Sequence, residues 1–120
     1  MKGRSEAQVQ AGILAYLQMR GDVFFWRQNT VGGLAQSGAF LHAEKGVPDI
    51  LVVLRGRLHG LEVKREIGGK VSADQERFGN NLVAAGGVYA VVRNIDEVAT
   101  ALGPVGPKVV KFAPVRRYPR

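Results

Sequence analysis

Gly46-Val47-Pro48-Asp49-Ile50-Leu51-Val52-Val53-Leu54-Arg55-Gly56-Arg57-Leu58-His59-Gly60-Leu61-Glu62-Val63-Lys64 contains two strands and the turn that joins them. Ile50 to Leu54 is continuously apolar, which suits a central strand covered on both faces. Arg55-Gly56-Arg57 then makes a tight turn, and the pattern changes to alternation: Leu61 and Val63 point one way, Glu62 and Lys64 the other. A hairpin is therefore expected. Pro48 withholds a backbone donor at the entry to the first strand and biases Val47 towards extended geometry, which fixes where Asp49 enters.

Upstream, Ser5-Glu6-Ala7-Gln8 has the spacing of a capping box. It predicts a helix from about Glu6 to Met19, stopped by Gly21, with the apolar stripe Val9, Ile13, Leu14 and Leu17. Glu6 falls on that stripe, where a carboxylate facing the core needs compensation. Val23-Phe24-Phe25-Trp26 reads as a strand, and its aromatic density beside the first helix predicts core packing over a base-stacking platform. Asn29 to Gly46 is expected to be a long glycine-bearing loop.

Downstream, after Gly68-Gly69, Ser72-Ala73-Asp74-Gln75 repeats the capping-box spacing and opens a second helix. Its inner stripe is Gln75, Phe78, Leu82 and Ala85. Gly86-Gly87 ends it, Val88 to Val92 is a further apolar strand, and Ile95 to Leu102 a short helix. The expected order α-β-β-β-α-β-α describes an α/β fold with a mixed central sheet flanked by helices.

The 120-residue length fits one main domain, residues 1–102. The absence of cysteine excludes disulfide scaffolds, Cys-ligated zinc, iron–sulfur clusters and thiol nucleophiles. No run approaches the length needed to span a bilayer and the first residues lack a signal-peptide hydrophobic stretch, so a soluble, unprocessed protein with no membrane partner is expected. The formal charge is +7. Lys108, Lys111, Arg116, Arg117 and Arg120, with no acid among them, place most of that excess in residues 103–120, which also hold Pro104, Pro107, Pro114 and Pro119. This segment reads as a basic Pro-rich tail or dimer extension, suited equally to phosphate binding and to solubility.

Three polar positions interrupt the core pattern: Asp49 at the mouth of a buried strand, and Glu62 and Lys64 on one face of its hairpin partner. Two carboxylates from adjacent strands form an oxygen site suited to a hard cation, Mg²⁺ or Mn²⁺. Such a cation neutralises phosphate charge and activates water, while Lys64 orients that water or stabilises the developing charge. Phosphodiester hydrolysis is the chemistry this set suits.

These residues resemble a known family. Pro48-Asp49 followed by Glu62-Val63-Lys64 is similar to the PD-(D/E)XK nuclease signature, and Gly46-Val47-Pro48-Asp49, Leu61-Glu62-Val63-Lys64 and Ser72-Ala73-Asp74-Gln75 together resemble its VRR-Nuc branch, the virus-type replication-repair nucleases. The resemblance covers about Ser5 to Leu102 and implies a restriction-endonuclease-like α-β-β-β-α-β core. It implies metal ligation by Asp49, Glu62 and the Val63 carbonyl, a catalytic Lys64, a supporting Gln75, and Glu6 at the metal directly or through water. It further implies a structure-selective endonuclease that leaves a 5′-phosphate, acting as a homodimer on branched DNA such as four-way (Holliday) junctions, in replication and repair in a bacterial or phage-infected cytoplasm.

Other readings stay open beside it. Glu62 and Lys64 also fit an exposed pair on a hairpin, Glu6 fits a first-turn acid favouring the helix dipole, and Gln75 fits a capping residue. Arg27, Asn29, Lys45, Arg65 and Lys70 are placed to track a DNA backbone, Arg65 best of all because it follows the catalytic strand. Phe112 and Tyr118 fit contact with nucleic acid or with a partner subunit. His42 and His59 have no ligand-spaced partner, and without the G-x-x-x-x-G-K-[ST] string no nucleotide cofactor is expected. A non-catalytic nucleic-acid-binding module is the competing function, and a sequence-specific restriction-like enzyme ranks last.

Overall fold

The computed structural model describes residues 3–28, 33–34, 40–41 and 44–109. Asn29, His42 and the tail residues from 110 onward, with Lys111, Phe112, Arg116, Arg117, Tyr118 and Arg120, lie outside them. Both capping boxes form as the spacing predicts. Ser5 starts α1 (Glu6–Arg20), which ends on Gly21, and Ser72 starts α2 (Ala73–Ala84). α3 (Ile95–Leu102) is capped by the Asn94 side chain on the Glu97 amide.

The strands are β1 (Phe24–Arg27), β2 (Gly33–Leu34), β3 (Phe40–Leu41), β4 (Ile50–Leu54), β5 (Arg57–Val63) and β6 (Val88–Val92). β1, β4, β5 and β6 form one sheet in that order. β1–β4 and β4–β5 are antiparallel, whereas β5 and β6 are parallel and joined through α2, so the sheet is mixed. The β4–β5 connection is a two-residue turn in which Arg55 and Gly56 both have positive φ, the backbone whose twist matches paired antiparallel strands. β2 and β3 pair with each other, so the stretch expected to be loop carries a short two-stranded ladder.

Strand alternation and register sort side chains onto two faces. Ile50 pairs with Leu61, and both join Val52, Val63 and Val92 in a core closed by Val9, Ile13 and Leu17 of α1 and Val98 and Leu102 of α3. α2 packs against β5 and β6 on the opposite face. Among the described residues no helix is long and apolar enough to cross a membrane.

Several expectations need correction. Only Phe25 of the β1 aromatics packs against the core, while Phe24 is 62% and Trp26 37% exposed. β1 is an edge strand, and α2 packs on the β5–β6 half of the face that Phe24 and Trp26 share, so aromatic density did not mean burial. Glu6 is exposed instead of facing the core. At the first turn the helix has not yet been covered, and a stripe position there is not an interior one. Ala85 is the exposed C-cap residue, outside the helical stripe.

The described start of the basic segment is tied to the body. Arg20 and Asp22 form a buried pair at 2.7 Å; the Asp22 carboxylate accepts from the Gly106 amide at 2.8 Å, and Arg20 donates to the Pro104 carbonyl at 2.9 Å. Burial alone would raise the Asp22 pKa, but the Arg20 guanidinium and the Gly106 amide overcome it and hold the carboxyl below its ordinary value. Sequence reading passed over this pair because a helix ending at about Met19 leaves out Arg20, which in the structure continues the buried stripe Val9, Ile13 and Leu17.

Candidate active site

The antiparallel register that pairs Ile50 with Leu61 puts Asp49 opposite Glu62 one step further on, on the face covered by α2. Asp49 is held from two sides. Its Oδ2 accepts from the Val63 amide at 2.8 Å, and its backbone carbonyl accepts from the Gln28 amide at 2.8 Å. Pro48 is fully buried beneath it. Gly46, with φ of 75°, runs against the start of α2, where a Cβ would overlap the Asp74 carbonyl. The strand entry and the helix bearing Gln75 are thereby locked together.

Glu62 is 2% exposed. Its Oε1 accepts from Gln75 Nε2 at 2.5 Å and lies 3.5 Å from Lys64 Nζ. Lys64 Nζ in turn donates to Gln75 Oε1 at 3.0 Å, the same oxygen that accepts from the Ser72 amide at 2.9 Å. One side chain therefore completes the helix cap and bridges the acid to the amine, so the capping and site readings of Gln75 describe a single conformation. The pair of Glu62 and Lys64 is not an exposed hairpin pair.

Burial, then the Asp49 charge, push the Glu62 pKa up to about 7, against the opposing pull of Lys64. Glu62 Oε2 is buried without a hydrogen-bond partner. Tyr89 on β6, across from Gly60, also has an unpartnered hydroxyl, and its pKa is pushed up to about 12 by burial and by the charges of Glu62 and Asp49. Tyr89 escaped sequence reading because an aromatic in an apolar strand looks like ordinary core.

This donor set suits a hard divalent cation: two neighbouring carboxylates of opposed strands, one with a desolvated oxygen that no N–H or O–H donor among the described residues meets. Among the described residues no three His, Asp or Glu side chains converge on one point. Protein ligation would thus rest on Asp49, Glu62 and a backbone oxygen such as the Val63 carbonyl.

Glu6 lines a neighbouring cleft of about 370 Å³ with Ser5, Lys64, Arg65, Gly69 and Lys70. Lys64 is common to the acid pair and to this cleft. The loop forming its far wall is held by Arg93, which donates to the Arg65 carbonyl at 2.9 Å and to the Gly68 carbonyl. Of the predicted backbone-tracking residues, Arg65 and Lys70 are gathered here; Arg27 and Lys45 are exposed elsewhere, on β1 and ahead of Gly46. No protein-family model, curated protein or solved structure matches the chain.

Proposed function

We propose that this protein is a divalent-metal-dependent DNA endonuclease with a restriction-endonuclease-like core of the VRR-Nuc type. The observation that carries the reading is the placement of Asp49 opposite Glu62 with Lys64 Nζ 3.5 Å from the Glu62 carboxylate. A buried carboxylate with an unpartnered oxygen is costly in a resting fold, and a cation ligand is the use that offsets the cost. Asp49, Glu62 and the Val63 carbonyl would hold Mg²⁺ or Mn²⁺, which would supply Lewis acidity towards the phosphate and lower the pKa of water at the site.

The chain's own residues do the rest. Lys64 presents a fixed positive charge to the phosphate oxygens, pinned by Gln75 so that little reorganisation is needed when charge develops. Gln75 holds Glu62 Oε1, leaving Oε2 as the free donor. Arg65 and Lys70 grip the backbone in the adjoining cleft, and Glu6 on its other side supports the site. The proposed substrate is branched DNA such as a four-way junction, cut symmetrically by a two-fold pair of chains.

Incubation of the protein with labelled four-way junction, splayed duplex and linear duplex, in Mg²⁺ or in chelator, tests the reading. Metal-dependent product is expected from branched DNA, with Lys64→Ala abolishing cleavage while binding survives. Binding without product under every metal condition would leave the competing function, a non-catalytic nucleic-acid-binding module.

A further inference from the structure

Phe24 and Trp26 are the first and third residues of the edge strand β1, so they share a face. Trp26 pairs with Leu51, and Leu51 with Gly60. Directly paired residues point the same way, so both aromatics lie on the face that carries Asp49 and Glu62. α2 packs on β5 and β6, and on the β1 side of this face Phe24 and Trp26 are exposed, at 62% and 37%. Gln28, next on that face, ties its amide to the Asp49 carbonyl and its Oε1 to Trp26 Nε1 at 3.0 Å. The indole is therefore fixed in orientation by the residue that abuts the acid pair.

We propose that Phe24 and Trp26 form a stacking shelf for an unpaired nucleobase beside the carboxylate pair. The two rings are 5.5 Å apart and inclined at 41°, which leaves no slot for a base between them. A base stacks on the outward face of the indole, with Phe24 bracing the other side. A duplex keeps its bases stacked on one another and offers no free π-face, whereas a splayed or single strand does. The chain's formal charge of +7 complements a nucleic-acid backbone and disfavours a second copy of this basic chain as the occupant. The inference shares the nucleic-acid partner of the proposed function but does not depend on cleavage, and it assigns substrate choice to an aromatic contact as well as to charge.

Trp26 is the chain's single tryptophan, so emission under tryptophan-selective excitation, which leaves the tyrosines dark, reports the shelf. The experiment titrates the full chain, in chelator, with oligothymidylate and with blunt duplex of equal length, and follows binding in parallel by anisotropy of a labelled strand. Saturable quenching by the single strand and not by the duplex is expected. Trp26→Ala should weaken single-strand binding roughly tenfold, in line with the loss of one base–aromatic stack, with Trp26→Phe restoring most of it and duplex binding unchanged. Unchanged emission at saturating single strand overturns the proposal, as does equal single-strand affinity in Trp26→Ala. A protein-concentration-dependent emission shift without nucleic acid also overturns it, since a second copy would then occupy the shelf. Quenching without any metal-dependent cleavage would retain the shelf and remove the nuclease; cleavage without quenching would do the reverse.

Discussion

Replacing Glu62 by Gln should make the metal-free protein more stable at neutral pH. The carboxyl stands at about 7 in the fold against an ordinary value of 4.5. Between these two values the native state keeps a proton that the unfolded chain has released, so stability falls as pH rises through this window and levels off above pH 7. At 1.36 kcal/mol per unit the full penalty is about 3 kcal/mol. The side chain is 3% exposed, so solvent screening takes little from it. Glu62→Gln keeps an oxygen to accept from Gln75 and removes the ionisation, so the variant's advantage over wild type should be near zero below pH 4.5 and grow to about 3 kcal/mol by pH 8. Urea unfolding of both proteins in chelator across that range measures the difference. Adding Mg²⁺ at pH 8 should then stabilise wild type and leave the variant unmoved, because a ligand stabilises only the state that binds it. A pH-independent difference, or a variant less stable than wild type at pH 8, would refute the reasoning, and indifference of wild type to Mg²⁺ would refute its metal component.

Other perturbations separate scaffold from site. Asp22→Ala leaves Arg20 buried without its partner and should cost about 3–5 kcal/mol in chemical unfolding at pH 7; because the Asp22 pKa is lowered, that contribution is present above its ordinary value and disappears as pH falls through the lowered one. Gly46→Ala forces a Cβ into the Asp74 carbonyl at positive φ, so both thermal stability and cleavage should drop, with amide exchange accelerating first around Ser72 to Gln75. Arg93→Ala frees the carbonyls of Arg65 and Gly68 and should speed amide exchange across residues 65–69 while α2 stays protected; unchanged protection would show the loop is held by something else.

Local rules account for much of this fold. Two capping boxes, a continuous apolar strand, a positive-φ turn and the switch to alternation after it depend on neighbours a few residues away, so α1, β4, β5 and α2 are written in short-range chemistry. The grouping of Asp49, Glu62 and Lys64 was legible for the same reason: strand period and hairpin register together decide which side chains meet. Which faces are covered is a different kind of fact. Phe24 and Trp26 have the composition of a core strand, yet they are exposed because β1 is at the edge and α2 crosses the opposite half of the sheet. Gln75 reaches Glu62 because Gly46 lets the helix start approach the strand entry, and Arg20 with Asp22 is buried because residues 104 and 106 return to cover them. The sequence alone thus settled the three helices, the four strands of the main sheet and the pairing of the two acids, through interactions of short range and fixed period. Burial, the Glu62 proton and the free aromatic face were decided only by tertiary packing, since each depends on what chain-distant segments cover or leave open.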